Sequence, residues 1–295
     1  MTLVIPFPYI ALTKEIKMKY IHLDNEFTPF GKSLHYEAFT FNGGEPHIKI
    51  VDEIAPGTNI LMTCRPKSFN DLGFLFMAHN ALTQLNVGDI SLLMPYFPGA
   101  RQDRIMISGE PFSLKVYTRL INGLELKRIN IIDPHSDVCP ALLKNVHVIE
   151  NIVFVKEVLD NKTDYTLIAP DAGAMKKTYK VAQALQVSKV VECSKVRDIS
   201  TGRLSSFKVN ADDLENKACV IVDDICDGGG TFIGLAKELK KKNAGPLILI
   251  VTHGIFSKGS DHLTEVFDEI YTTDAFKTIK DQNINQIELT TLLNL

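Results

Sequence analysis

Residues 218–232 read ACVIVDDICDGGGTF, from Ala218 to Phe232. An uninterrupted apolar run of this length, rich in Ile and Val, predicts a strand buried on both faces of a sheet. It ends in Asp223-Asp224, and Asp227-Gly228-Gly229-Gly230-Thr231 then leads into a stretch whose spacing predicts a helix over Thr231–Lys241. Ligands of open α/β sheets bind outside the carboxyl ends of the strands, where such a loop lies. Glycines let backbone N–H groups approach an anion closely, and the helix N-terminus adds a favourable dipole. The carboxylates just upstream suit sugar hydroxyls or a metal ion. The segment has neither the Gly-Lys-Ser/Thr ending of a Walker loop nor the GxGxxG of dinucleotide sites. A triple glycine alone would read as a flexible turn with an aspartate cap; the apolar strand and acidic pair before it favour an anion site.

Comparable apolar runs occur outward from this stretch, at Asn59–Thr63, Ile90–Phe97, Ile129–Asp133, Thr166–Pro170, Lys189–Cys193 and Leu247–Thr252. Segments with apolar residues three and four apart lie between many of them, including Phe69–Leu85 and Leu114–Leu124. Strands alternating with helices predict an α/β fold, its largely parallel central sheets flanked by helices. A chain of 295 residues exceeds what one core usually holds, so two domains are expected. The polar turn near residues 150–165 divides it into an N-terminal domain over 1–155 and a C-terminal domain over 156–295, with the final segment free to pack back on the first. Ser194–Asn210 is polar and weakly patterned between two good strands. It reads as a long loop or loose hairpin of the kind that serves as a lid.

Composition bounds the partners. Net charge is −3 and the isoelectric point about 6.2, which removes the electrostatic reason to expect nucleic acid or an acidic membrane as partner. Five cysteines without a CxxC pair read as reduced thiols, not as a disulfide framework or a zinc site. The apolar start MTLVIPFPYIAL has no basic residues before it and is broken by Pro6 and Pro8, which argues against a signal peptide. No apolar run approaches the roughly 18 residues of a membrane helix. The expected location is cytoplasmic.

The loop at Asp223–Thr231 resembles the phosphoribosyl-diphosphate loop shared by type I phosphoribosyltransferases and phosphoribosyl-diphosphate synthetases, and by itself it fits both. Pro95-Tyr96-Phe97-Pro98-Gly99-Ala100-Arg101-Gln102-Asp103-Arg104, with Gly109–Lys115 after it, separates them. It resembles the ATP-binding segment of ribose-phosphate diphosphokinases, which simple phosphoribosyltransferases lack. Further correspondences run in order along roughly residues 24–275. Phe41-Asn42-Gly43-Gly44-Glu45 resembles the hairpin a neighbouring subunit lends to the adenine pocket. Asp133-Pro134-His135 resembles the family's metal-binding strand end, and Ala169–Gly173 the strand end that meets ribose 5-phosphate and metal. Lys195-Val196-Arg197 is similar to the Lys-x-Arg at the base of the catalytic loop, and Thr252-His253-Gly254 with Ser257 to the last sheet segment.

This resemblance implies two phosphoribosyltransferase-like domains and transfer of the β,γ-diphosphoryl group of ATP to the anomeric hydroxyl of ribose 5-phosphate, releasing AMP. It implies Mg²⁺ as cofactor, with His135 and Asp171 as its protein ligands. Phe41, Glu45, Arg101, Gln102 and Asp103 would bind ATP. Asp171, Asp223, Asp224, Asp227, Gly228, Gly229, Gly230 and Thr231 would bind the ribose phosphate. Lys195 and Arg197 would be catalytic, neutralising charge on the transferring group. A shared adenine pocket implies a homo-oligomer, dimer or hexamer.

Three departures bear on these expectations. Gly43 stands where the family usually has Asp, removing an acceptor from the adenine hairpin. Gly228 stands where a Thr hydroxyl usually supports the 5′-phosphate, so the loop loses a donor and is expected to be roomier. A 5′-substituted ribose phosphate such as ADP-ribose is then an alternative acceptor, which would place the chain in NAD metabolism. The ending LTTLLNL comes earlier than the family pattern, which bears on regulatory sites that rely on C-terminal packing. A phosphoribosyltransferase would leave the Arg101–Arg104 segment, Asp133–His135 and Lys195–Arg197 without work. A non-catalytic regulatory relative would be expected to have lost His135, Asp171, Lys195 or Arg197, and all four are present.

Overall fold

Two open sheets, each capped by helices, share a wall of apolar side chains in the computed structural model, which describes residues 18–197 and 204–293. The apolar N-terminal stretch, the middle of the Ser194–Asn210 segment and the last two residues lie outside the described residues, as does the side chain of Arg197.

The chain begins with β1 (Met18–His22), followed by the hairpin strands β2 (Tyr36–Thr40) and β3 (Pro46–Ile50). Next come β4 (Asn59–Thr63), α1 (Phe69–Gln84), β5 (Ile90–Leu93) and α2 (Ser113–Asn122). Then β6 (Arg128–Ile132), α3 (Val138–Leu142), β7 (Val146–Ile149) and α4 (Ile152–Leu159) complete the first half. The second half holds β8 (Tyr165–Ala169), α5 (Ala172–Leu185), β9 (Val190–Arg197), β10 (Leu204–Val209) and β11 (Ala218–Cys226). It closes with α6 (Gly230–Lys241), β12 (Leu247–Gly254), α7 (Asp261–Thr264), β13 (Glu269–Thr273), β14 (Asn285–Ile287) and α8 (Leu289–Leu292).

The first sheet has the order β1-β4-β5-β6-β7 and is parallel throughout. The second has the order β10-β9-β8-β11-β12-β13-β14, parallel except for the antiparallel β9–β10 pair. The α/β class with two largely parallel sheets is therefore as the sequence predicts, and Ser194–Asn210 contains a hairpin, β9 with β10.

The all-apolar runs have a direct packing explanation. Side chains alternate across a strand, so a strand covered on both faces must be apolar at every position. Along β12, Leu247, Leu249 and Val251 point into the core beneath α6, while Ile248 and Ile250 point the other way, into a core shared between the sheets. Cys219 and Ile221 against Val220 and Val222 repeat this on β11, and Ile60 and Met62 against Leu61 on β4. The shared core draws Leu61, Leu93 and Ile132 from the first sheet, Phe154 and Val155 from α4, and Leu289 and Leu292 from α8. Truncating a fully buried residue there, such as Ile250, costs about 2–5 kcal/mol.

Local sequence sets the element ends. Ser68 and Asp71 form a reciprocal capping box at the start of α1. The run Ile90–Phe97 ends as a strand at Leu93, just before Met94-Pro95, because proline cannot donate to a ladder. The hairpin β2–β3 lies on α1 at Gly73, where a Cβ would stand 2.5 Å from the Pro46 ring, so only glycine permits that approach. All five cysteines are free and buried, and burial pushes the thiols of Cys139, Cys193 and Cys226 up to about 12. No helix among the described residues is long and apolar enough to cross a membrane.

Candidate functional site

The carboxyl ends of β5 and β6 from the first sheet, and of β8 and β11 from the second, open on one cleft of about 790 Å³. Parallel strands deliver their following loops to the same edge, so this convergence is a consequence of the topology.

At the end of β11 the acidic pair faces the cleft, with Asp224 buried and Asp223 half-buried. Asp223 is raised well above the usual carboxylate range, by burial and by the charge of Asp224 beside it. Burial would raise Asp224 too, but the hydrogen bond from His135 and the charge of Lys177 outweigh it and hold this carboxyl well below that range. The two neighbouring carboxyls are thus pushed in opposite directions, Asp223 toward its neutral form and Asp224 toward its ionised one. His135 Nδ1 donates to Asp224 Oδ2 at 2.7 Å, and that bond raises the histidine's own pKa against the opposing effect of burial.

Lys177, on α5, donates to Asp133 Oδ1 at 2.8 Å and to the Pro134 carbonyl at 3.0 Å, with its ammonium 4.0 Å from Asp224. Burial opposes its charge, yet the surrounding carboxylates raise its pKa on balance. Asp133 adopts a φ of 40°, a left-handed conformation that costs energy in a non-glycine residue. Its other carboxylate oxygen accepts from Thr252 Oγ1 at 2.7 Å, and the buried His253 Nε2 lies 3.0 Å from the Ile132 carbonyl. Contacts from α5 and β12 therefore hold the end of β6 in shape.

Asp171 caps α5, accepting from Ala174 N at 3.1 Å, and its second oxygen is 2.6 Å from Lys195 Nζ at the end of β9. Burial pushes the Asp171 carboxyl up, but the lysine and the helix N–H groups more than reverse this, so it is ionised. Arg101 Nη1 pairs with Asp227 Oδ2 at 2.7 Å, joining the segment after β5 to the glycine loop. Gly229 takes φ 73° as the cap of α6 and provides no side-chain acceptor, so the first N–H groups of that helix are left for another acceptor.

Arg101, Asp103, His135, Asp171, Lys195, Asp223, Asp224 and Asp227 all border the cleft, as do Gly228, Gly229, Gly230 and Thr231. Gln102 is exposed and does not border it. Phe41 and Glu45 lie apart, on the exposed β2–β3 hairpin, where Phe41 packs edge-on to Phe39 at 4.9 Å. A Cβ on Gly43 would stand 2.5 Å from a Glu45 carboxylate oxygen, so Glu45 fills the space an aspartate there would take. At Gly228 a Cβ would meet the Lys258 methylenes at 3.5 Å, an ordinary contact distance, so the lysine stem lies alongside this glycine.

Sequence reasoning missed Lys177 and Lys258, both of which border the cleft. Lys176-Lys177 within a helix reads as ordinary solvated surface, and nothing in the letters ties it to Asp133.

Among the described residues no group of three or more His, Cys, Asp or Glu side chains is arranged to hold a metal ion. Magnesium in phosphoryl-transfer sites keeps most of its shell as water and substrate oxygens and takes only one or two protein ligands. An ionised Asp171 and a His135 with Nε2 free of the Asp224 bond fit an ion carried in by a polyphosphate, not a resident all-protein cage.

Residues 141–291 match the family described as the phosphoribosyl transferase domain, and the chain belongs to that family. The ribose-phosphate pyrophosphokinase of Pyrococcus abyssi is 27% identical over 263 residues, covering 87% of this chain and 90% of that protein. The enzyme of the same name from Mycoplasma genitalium is 28% identical over 273 residues, covering 86% and 79%. In fold, the chain is similar to the phosphoribosylpyrophosphate synthetase of Mycobacterium smegmatis, with a TM-score of 0.80 at 20% identity over 94% of this chain and 96% of that one.

Proposed function

We propose that the protein is a ribose-phosphate diphosphokinase, which transfers the β,γ-diphosphoryl group of ATP to the anomeric hydroxyl of ribose 5-phosphate and releases AMP. The observation that carries this reading is the Arg101–Asp227 pair, which joins an arginine-bearing segment after β5 to the glycine loop after β11 across one cleft. A phosphoribosyltransferase needs only the second of these.

Phosphoryl transfer demands positioning and charge neutralisation more than covalent help from the protein. The loop at Asp227–Thr231 holds the 5′-phosphate with backbone N–H groups at the start of α6. Asp223 and Asp224, adjacent at the end of β11 and bordering the cleft, suit the two ribose hydroxyls, since each carboxyl can accept hydrogen bonds. Arg101, Gln102 and Asp103 hold ATP from the other wall, with Phe41 and Glu45 lent by a second copy of the chain against adenine. The assembly is then a homo-oligomer, dimer or hexamer.

Mg²⁺, when bound through His135 and Asp171, supplies charge neutralisation to the polyphosphate. Lys195 is held by Asp171 in the absence of ligand, ready to exchange that carboxylate for oxygens of the transferring group, and Arg197 assists from the same strand. The anomeric oxygen forms its bond to the β-phosphorus as the bond from that phosphorus to the AMP oxygen breaks, and the hydroxyl proton is released. Residues 1–155 serve the nucleotide in this scheme and residues 156–295 the ribose phosphate.

The test is AMP formation that requires ATP, Mg²⁺ and ribose 5-phosphate with no nucleobase added. AMP formed only with a nucleobase present, or none at all, overturns the reading.

A further inference from the structure

Gly228 gives the glycine loop no side-chain donor, and the structure has a lysine at that point. The turn that carries Lys258 is strapped to the loop by backbone bonds. Ile255 N and Phe256 N donate to the Cys226 carbonyl at 2.9 and 3.1 Å, and Ser257 N donates to the Asp227 carbonyl at 3.2 Å. From the other side, His262 Nε2 lies 3.1 Å from the Gly228 carbonyl. These bonds fix the Lys258 backbone beside the loop, and Gly259 with φ 76° allows the chain to turn away immediately after it.

The side chain then runs along the loop. Its Cδ and Cε lie 3.5 Å from where a Cβ on Gly228 would be, so the methylenes rest on the bare glycine. A branched side chain at 228 would compete with them for the same space. Next to it, a Cβ on Gly230 would meet nothing within 4 Å, so the loop beyond the lysine stem is open. Lys258 borders the cleft together with Gly228, Gly229, Gly230 and Thr231, and its charge helps lower the Asp227 carboxyl after the larger effects of Ser257 and Arg101.

Asp227 explains why a cation is useful there. A carboxylate within a phosphate-binding loop repels the ligand unless its charge is compensated. Arg101 compensates it in the absence of ligand, but Arg101 is also the ATP-side arginine and must serve two anions. A second cation on the ribose side resolves that conflict.

We propose that Lys258 is a binding residue for the acceptor, its ammonium contacting the phosphate on the ribose 5′ carbon in place of the hydroxyl that Gly228 lacks. This rests on the reading of the cleft given above and names the group that recognises the acceptor's anionic end. The required chemistry is a phosphate ester at the 5′ position, which both ribose 5-phosphate and ADP-ribose carry. Lys258 serves the acceptor and not ATP.

The test uses Lys258→Met, which keeps the stem that covers Gly228 and removes the charge, and Lys258→Arg, which restores a charge. Binding of ribose 5-phosphate to the full chain is measured by calorimetry, and steady-state constants are measured separately for acceptor and ATP. A charge-assisted contact predicts about 10- to 100-fold weaker ribose 5-phosphate binding by Lys258→Met, with the KM for ATP within about twofold and kcat little changed. Lys258→Arg should recover most of the loss, and ADP-ribose run in parallel should show a loss of its own. An unchanged affinity for ribose 5-phosphate in Lys258→Met overturns the proposal, whatever happens with ADP-ribose, and so does a rise in the ATP KM as large as that for the acceptor. Calorimetry reports on Lys258 without turnover, so a wild-type chain that binds ribose 5-phosphate but forms no AMP would count against the proposed reaction and leave this contact decided.

Discussion

The two walls of the cleft are built to different standards. On the second-sheet wall, the Asp224 side chain is 7% exposed and joined to His135, and Asp171 is both a helix cap and a lysine partner. On the first-sheet wall, Arg101 is 46% exposed with one partner, and Ile105, Met106 and Ile107 just beyond it are 58, 75 and 66% exposed. The β2–β3 hairpin of the same half, apart from the cleft, also exposes Phe39 and Phe41. A ligand meeting the second-sheet wall finds a preorganised set of donors and acceptors, while the first-sheet wall must order its own groups on binding. The contrast agrees with the proposed reading, in which a second copy of the chain would complete the first-sheet side.

The largest effect that would sharpen this contrast is at Lys195. Lys195→Ala should lower kcat by about 10²–10³ or more while the melting temperature stays close to wild type, because the lysine borders the cleft and supports no core. Near-normal turnover would remove it from the mechanism. Chelating Mg²⁺ should abolish AMP formation and leave the melting temperature unchanged, since no metal cage is found among the described residues; a large drop would point to a resident ion.

Asp224→Asn comes next. It takes the ionised acceptor from His135 and Lys177 and should raise the KM for ribose 5-phosphate at least tenfold, with a stability loss of about 1–3 kcal/mol by urea titration. A change confined to the ATP KM would break the assignment of the two walls.

Arg65 tests the frame instead of the site. Buried, it donates to Asp24 at 2.8 Å and to the Asp274 carbonyl at 2.7 Å, so Arg65→Ala should cost about 3 kcal/mol. Burial raises the Asp24 carboxyl but Arg65 outweighs it, leaving a depressed pKa. Its contribution to stability is therefore present above the ordinary carboxylate range, near pH 4, and lost as pH falls through the lower folded value. Acid titration of wild type and Arg65→Ala should diverge above that range and converge below it. The smallest effect is expected at Phe41, where Phe41→Ala should raise the ATP KM a few-fold and leave the ribose 5-phosphate KM alone.

How much was legible follows from burial. Strands covered on both faces, such as β11 and β12, have no polar interruptions and are plain in the sequence. β1 (MKYIH), β7 (VHVI), β13 (EIYTT) and β14 (NQI) lie at or near sheet edges, where half-exposed positions accept polar residues and erase the signal. The glycine loop was readable because its residues are contiguous. Lys177 was not, because its meaning depends on Asp133, 44 residues away, and Lys258 was not, because only the fold lays its stem on Gly228. The gathering of Asp171, His135, Asp223 and Asp224 around one cleft was reachable through the resemblance, but the opposite shifts of the two neighbouring carboxyls follow from their burial and neighbours in the fold.

The strained end of β6 also bears on how the protein is made. Asp133 is separated from Thr252 by 119 residues, and until that residue and Lys177 have left the ribosome its carboxylate lacks both of these partners, although its N–H can already pair with the Ile149 carbonyl. Local contacts form early and distant ones late, so the first sheet can assemble on a nascent chain while its nucleotide-facing edge stays loose. The shape of this cleft edge is therefore a property of the whole chain, since Lys177 and Thr252, which hold Asp133, both come from the second half.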